Sequence, residues 1–499
     1  MRHLSIDIET KSSVDIGKAG LYRYAQSDDF EILLFAYRYD NEEVQIIDLA
    51  QGETIPETIA EDLKNPRIVK HAYNAAFEWY CLNHAGYKTP LAQWRCTMIH
   101  GLYCGYTAGL DATGKAIGLP QDKRKLATGK ALIRYFCVPC KPTKSNGNRS
   151  WNLPKHAPEK WELFKEYCRQ DVVTESAILA RLDAFPVPDE EERLWQMDIR
   201  MNAFGVKVDS ELIRGALQVN EQSTILLEAE AKEITGLDNP NSSTQLLDWI
   251  HKHGVEMDNL QKATVTEKLA DDLPDNVRRA LEIRQQLGKT SIKKYVAMDV
   301  AKGNDDRVRG LTQYYGANRT GRWAGRLVQM QNLPRNYIKS LDYARKLVKA
   351  QNYDGIKLLY GNVPDTLSQL IRTAFIPSEG NKFVVADFSA IEARVIAWLA
   401  GETWVNEVFA THGKIYEATA SQMFHVPIEK IAKGNPEYAL RQKGKVATLA
   451  LGYQGGSNAL IAMGALNMGL SEEELPDIVQ RWRSANPRIR DLWYAVEEA

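Results

Sequence analysis

Cysteine is scarce in this chain and confined to one end of it: there are six in 499 residues, Cys81, Cys96, Cys104, Cys137, Cys140 and Cys168. Only Cys137-Val-Pro-Cys140 is a close pair, and no second such pair or nearby histidine pair accompanies it. That pattern argues against a zinc module or disulfide framework and for reduced intracellular thiols. No apolar run approaches membrane-spanning length, and the opening MRHLSIDIET lacks the apolar core of a signal peptide. A cytoplasmic protein without a membrane partner is therefore expected. An excess of charge of either sign is also missing: 63 Lys and Arg stand against 64 Asp and Glu, a net charge of -1. No global basic excess draws the chain to nucleic acid, so any such binding must rest on local charge. Internal repeats and low-complexity tracts are absent too. With 44% hydrophobic and 25% charged residues the composition is ordinary for globular domains, and the length suggests about three or four of them.

What is present is most pointed at Phe383–Leu399, FVVADFSAIEARVIAWL. Phe383, Val384, Val385 and Ala386 predict a central strand, placing Asp387 at its end, where rigid backbone could hold a carboxylate for magnesium. Further on, RQKGKVATLALGYQGG spaces Arg441, Lys445, Leu449 and Tyr453 four apart, which predicts one face of one helix. Arg441 and Lys445 are suited to a triphosphate and Tyr453 to a base or sugar. A solvated helix carrying two basic residues is the competing reading.

Local charge appears between Arg284 and Lys346. There Lys289, Lys293, Lys294, Arg319, Arg322, Arg326, Arg335 and Lys339 recur with Tyr295, Tyr314, Tyr315 and Trp323 interleaved. Such a segment would bind duplex phosphates in a salt-dependent way.

A second constellation sits at the start of the chain. Leu4-Ser5-Ile6-Asp7-Ile8-Glu9 alternates so that Asp7 and Glu9 project from the same side of a strand. Two carboxylates so close are costly unless a cation neutralises them. Glu78, in HAYNAAFEWY, and Asp171, in EYCRQDVV, add two more, and Tyr167 shares a helical face with Asp171. A phenol beside a ligating carboxylate can orient water for attack on a phosphodiester while two metal ions stabilise the nucleophile and leaving oxygen.

Phe383–Leu399 and the Arg441–Tyr453 segment resemble the A and B motifs of family A DNA polymerases. NRTGRWAGRLVQMQNLPR, Asn318 to Arg335, resembles that family's primer-template contact segment, and three stretches further upstream are similar to its approach to palm and thumb. The resemblance implies that Asp387 is a metal ligand and that Lys445 and Arg441 neutralise the leaving pyrophosphate. It makes Glu392, paired with Tyr453, a gate against ribonucleotides. Arg394, Arg322, Thr320, Gln331 and Asn332 become DNA contacts. Leu449 stands where family members commonly carry Phe or Tyr. The N-terminal set resembles the DnaQ-like, Tyr-class 3'-5' exonucleases, implying that Asp7, Glu9, Glu78 and Asp171 are metal ligands and that Tyr167 positions water. Here Asn74-Ala-Ala-Phe77-Glu78 ends in Glu where that family usually has Asp.

The expected architecture is an α/β, ribonuclease H-like exonuclease domain over 1–185, joined to an α+β polymerase right hand. Phe185-Pro-Val-Pro188 followed by Asp189-Glu-Glu-Glu192 signals a linker and helix start, with 186–210 leading into the palm. A helix-rich thumb is expected over 211–305, the first part of the palm over 306–401 and fingers over 402–499. The family's second palm carboxylate has no counterpart in SEEELPDIVQRWRSANPRIRDLWYAVEEA, which reads as two helices. The expectation is a fragment or split enzyme, with two Mg2+ per site replaceable by Mn2+, primer-template DNA and deoxynucleoside triphosphates as substrates, and a processivity factor as a further partner. The expected setting is a bacterial or phage-infected cell. The alternative is an exonuclease whose incomplete polymerase region clamps primer-template.

Overall fold

A computed structural model describes residues 2–499. The chain forms two compact units, Met1–Lys382 and Phe383–Ala499. The first is built on a five-stranded sheet of β1 (Arg2–Lys11), β2 (Glu31–Tyr39), β3 (Gln45–Asp48), β4 (Ile68–Ala72) and β5 (Trp94–Cys96). The spatial order is β3-β2-β1-β4-β5. β1 runs antiparallel to β2 and parallel to β4, so it is the central strand.

The alternation in β1 decides what each face carries. Leu4, Ile6 and Ile8 enter one core with Phe35, Ile68 and Trp94. At roughly 1.5–3 kcal/mol for each large apolar side chain buried, these three residues fix the register of β1 against slipping. The opposite face, carrying Asp7 and Glu9, is covered by the long helix Pro158–Leu182, whose Trp161, Phe164 and Tyr167 pack with Leu33 and Phe136. Trp161 Nε1 donates to Asp48 Oδ2 at 2.7 Å, pinning that helix to β3.

Past the Pro186–Pro188 linker the expected helix starts at Asp189 and runs to Phe204. The amphipathic stretch after Asp209 is a single helix, Ser210–Thr235. It packs against Leu341–Lys349 so closely that a Cβ at Gly215 would lie 2.2 Å from the carbonyl oxygen of Val348. Short strands β6 (Val206–Lys207) and β7 (Arg307–Val308) pair, followed by a hairpin of β8 (Thr312–Ala317) and β9 (Arg322–Gly325).

The second unit is helical, and its core stacks Trp482 on Trp493 with ring centroids 5.9 Å apart. The two expected terminal helices are Leu475–Ala485 and Pro487–Glu498. One expectation is corrected. Phe383–Ala386 is not a strand, because none of the described residues pairs with it. Side chains of β type make a ladder only where a neighbour offers N–H and C=O groups, and here Val384 and Val385 stay 85% and 89% exposed. The division between units falls after Lys382, within the stretch 306–401 expected as the first part of the palm. No helix among the described residues is long and apolar enough to cross a membrane.

Candidate active sites

In the first unit the fold brings together all five residues of the N-terminal constellation. Asp7 and Glu9 face the Pro158–Leu182 helix from β1, and Glu78 comes from the helix Ala75–His84. Tyr167 and Asp171 occupy successive turns of the long helix. Among the described residues, Asp7, Glu9 and Cys168 form the single trio whose ligand atoms all lie within 4.8 Å of one another. Cys168 Sγ is 3.5 Å from Asp7 Oδ2.

Burial dominates the electrostatics. It raises the Asp7 carboxyl to about 8, with the Asp171 charge adding to the effect. Glu9 is held well above the ordinary carboxylate range by burial and then by Asp7, and Glu78 by the same two causes. Burial also raises Asp171, against the opposing pull of Lys125. Tyr167 is pushed up by burial and the Asp171 charge, so its phenol stays a proton donor. Glu78 Oε2 and Asp171 Oδ1 are buried without a hydrogen-bond partner. Orphaned carboxylate oxygens are expensive in a low-dielectric site, and hard oxygen ligands from four acids suit magnesium or manganese. The donor set therefore fits divalent ions. A bound ion would reverse the upward shifts.

Three neighbours in this site escaped the sequence reading. Lys125 forms an ion pair with Asp171 and lies 4.6 Å from the centroid of the Tyr167 ring. Cys168 touches Asp7, and Glu175 is a further buried acid, hydrogen-bonded to Thr97. Glu175 follows Asp171 by four residues, a spacing that marks it on the same face. Lys125 has no such signal, being 46 positions away in sequence. Beside Glu9 opens a cavity of about 510 Å3 walled by Tyr24, Phe77 and Ile133.

The primer-template candidates of the first unit are exposed. Thr320 and Arg322 stand at the β8–β9 turn, where Thr320 N–H donates to the Ala317 carbonyl at 3.0 Å. Gln331 and Asn332 lie in the following turn of helix, Met330–Asn332. A Cβ at Gly325 would be 2.2 Å from Gln331 Oε1, so that glycine admits the glutamine. Several other members of the basic segment have structural roles instead. Lys289 pairs with Asp365, Lys294 Nζ donates to the Val328 carbonyl at 2.6 Å, and Tyr295 and Tyr314 are core residues. Arg319, Arg335 and Lys339 remain exposed.

In the second unit Asp387 lies in an exposed irregular segment, four residues before the helix Ile391–Ala400. Arg394 Nε donates to the Ser389 carbonyl at 2.8 Å. Arg441, Lys445 and Leu449 do share the helix Leu440–Ala450, but Tyr453 falls beyond its end. The chain leaves the helix at Leu451-Gly452, whose carbonyl on Gly452 accepts from Trp493 Nε1 at 2.9 Å. Glu392, Leu449 and Tyr453 nevertheless line one cavity of about 260 Å3, with Tyr416 and Thr448. Arg441 Nε is paired with Glu417 at 2.7 Å.

The second unit thus carries a cavity lined by Glu392 and Tyr453 beside a helix bearing Arg441 and Lys445, and the first a sheet with clustered acids. The sequence profile of DNA polymerase family A matches residues 212–499, and the chain belongs to that family. It is 57% identical over 500 residues to the DNA polymerase of Bacillus phage SP02, covering 100% of this chain and 76% of that protein. Similarity to Bacillus caldotenax DNA polymerase I is 25% over 325 residues, covering 62% of this chain and 32% of that enzyme. The thermostable DNA polymerase I of Thermus aquaticus is 31% identical over 131 residues, 26% of this chain and 15% of that one. Among solved structures, the POL domain of Pol1 from M. smegmatis, in complex with DNA primer-template and dNTP, aligns with TM-score 0.56 at 18% identity, covering 98% of this chain and 74% of that chain. That likeness concerns the fold.

Proposed function

We propose that this family A DNA polymerase removes nucleotides from DNA 3' ends in its first unit and adds deoxynucleotides through its second. The observation that carries the nuclease reading is the convergence of Asp7, Glu9, Glu78, Asp171 and Tyr167 on one buried site. The β3-β2-β1-β4-β5 order, mixed parallel and antiparallel, supports a ribonuclease H-like domain around it.

In this reading the four carboxylates hold Mg2+ or Mn2+, which supply positive charge at the scissile phosphate and a water acidic enough to attack it. Tyr167 donates a hydrogen bond that orients that water. The new bond joins water oxygen to phosphorus, the P–O3' bond breaks, and the departing 3'-oxygen ends with a proton. The product is a nucleoside 5'-monophosphate and a chain one residue shorter. The cavity beside Glu9 offers Phe77 and Tyr24 as apolar walls for the terminal base.

For synthesis, Asp387 holds magnesium and Lys445 and Arg441 neutralise the leaving pyrophosphate. Glu392 and Tyr453 close the wall against a 2'-hydroxyl. Arg322, Thr320, Gln331, Asn332 and Arg394 contact primer-template. Proposed segments are an exonuclease domain over 1–185, a linker over 186–210, a thumb over 211–305, first palm residues over 306–401 and fingers over 402–499, acting in a bacterial or phage-infected cell. Glu9, Glu78 and Asp171 are buried, whereas Asp387 is exposed.

The test is a 5'-labelled primer on a longer template, incubated with Mg2+ with and without deoxynucleotides. Shortening abolished by Asp7→Asn and preserved by Asp387→Asn supports the nuclease assignment. Extension abolished by Asp387→Asn assigns synthesis to the second unit. No shortening under any ion condition would refute the nuclease reading.

A further inference from the structure

We propose that Lys125 is a resident counter-ion of the acidic cluster, holding Asp171 while the site is ion-free and giving that carboxylate up when a divalent ion binds. The inference rests on the reading of the cluster as an ion site. Its geometry is specific. The Lys125 ammonium pairs with Asp171 Oδ2, while Oδ1 of the same carboxylate is buried with no hydrogen-bond partner. The backbone carrying Lys125 is fixed from the adjacent turn of the long helix, since Gln170 Nε2 donates to the carbonyls of Asp122 at 2.9 Å and Arg124 at 3.1 Å. Arg124 cannot take the same place, because its Nε is turned back onto the Leu119 carbonyl at 2.7 Å. Any displacement is thus a movement of the lysine side chain.

The surroundings say why such a cation is present and why it can leave. Asp7, Glu9, Glu78, Asp171 and the fifth acid Glu175 share a mostly buried space, and crowding of like charges without a cation opposes folding. One ammonium relieves this in part; Glu78 Oε2 remains without a partner. The Lys125 side chain is 27% exposed against 7% for Asp171, so the ammonium approaches from the open side and can return to water. Lysine suits this role better than arginine, being a compact point charge on a flexible stem. An ammonium and a divalent ion drawn to one carboxylate repel each other. The chain therefore trades ion affinity for stability of the ion-free fold.

The experiment is a Mn2+ titration of the full chain carrying Asp387→Asn, which removes the second unit's carboxylate, with free Mn2+ read by electron paramagnetic resonance. Adding Lys125→Met is expected to tighten Mn2+ binding by about tenfold, whereas Lys125→Arg should stay near the parent. In EDTA, Lys125→Met should melt lower than the parent and gain more from added Mn2+. Lys125→Gln, checked by circular dichroism, replaces the Met variant if that one does not fold. Unchanged or weaker Mn2+ binding in a folded variant overturns the proposal while leaving the ion site intact. A parent titration that Asp7→Asn does not alter removes the ion site itself, a separate failure.

Discussion

A Cβ built on Gly129 would lie 2.1 Å from Cε2 of the Tyr167 ring. The first residue of the helix Gly129–Phe136 thus lies flat against the phenol proposed to aim the attacking water. Gly129→Ala must push Tyr167 or the helix by an ångström or more. Misplacement of that size can cost on the order of 100-fold in rate. The expected outcome is a loss of that order in 3'-end removal with Mn2+ affinity nearly unchanged, since the acids stay in place; equal losses in both would point to collapse of the site.

The acidic cluster predicts how ion-free stability depends on pH. A carboxyl raised in the folded state, as Asp7 is from 3.8 to about 8, binds its proton more tightly folded than unfolded. Its contribution is complete below the unfolded value and is lost as pH rises towards about 8, at up to about 1.4 kcal/mol per pH unit for each group titrating. In EDTA the melting temperature of the first unit should fall between pH 5 and 8. Asp7→Asn should flatten that slope, and Mg2+ should do the same. A melting temperature independent of pH in EDTA would contradict the assignment.

Glu392 and Tyr453 line one cavity although the second lies beyond the helix. If they form the wall met by a ribose 2'-hydroxyl, Glu392→Ala should raise the kcat/KM for ribonucleotides relative to deoxynucleotides by about tenfold or more. Single-nucleotide incorporation by this variant checks it.

Gly444 permits the Leu440–Ala450 helix to cross Ile415–Phe424, because a Cβ there would sit 2.2 Å from the Tyr416 carbonyl oxygen. Gly444→Ala should destabilise the second unit by about 1–3 kcal/mol through overpacking. Urea unfolding followed through the Trp482–Trp493 pair reads this directly.

The parts of the structure legible in the sequence are those with a period. Leu4, Ile6 and Ile8 alternate with Asp7 and Glu9, and Tyr167 and Asp171 are one helical turn apart; both spacings gave the right face. Ser210–Thr235 was equally plain from its amphipathic run. Phe383–Ala386 misled because composition supplies β-type side chains and not the neighbouring strand that makes them a ladder. Tyr453 kept the i+4 count across Gly452, where the helix had already ended. Lys125 was invisible for another reason: it reaches Asp171 through a non-repeating segment, and only the fold closes that distance.

The most direct measurement uses a single strand labelled on its 3'-terminal nucleotide, mixed with the full chain and Mg2+, with products separated by charge. The account predicts labelled nucleoside 5'-monophosphate as the first product, lost with Asp7→Asn and retained with Asp387→Asn. Label remaining in the strand, or release that persists in Asp7→Asn, would contradict it.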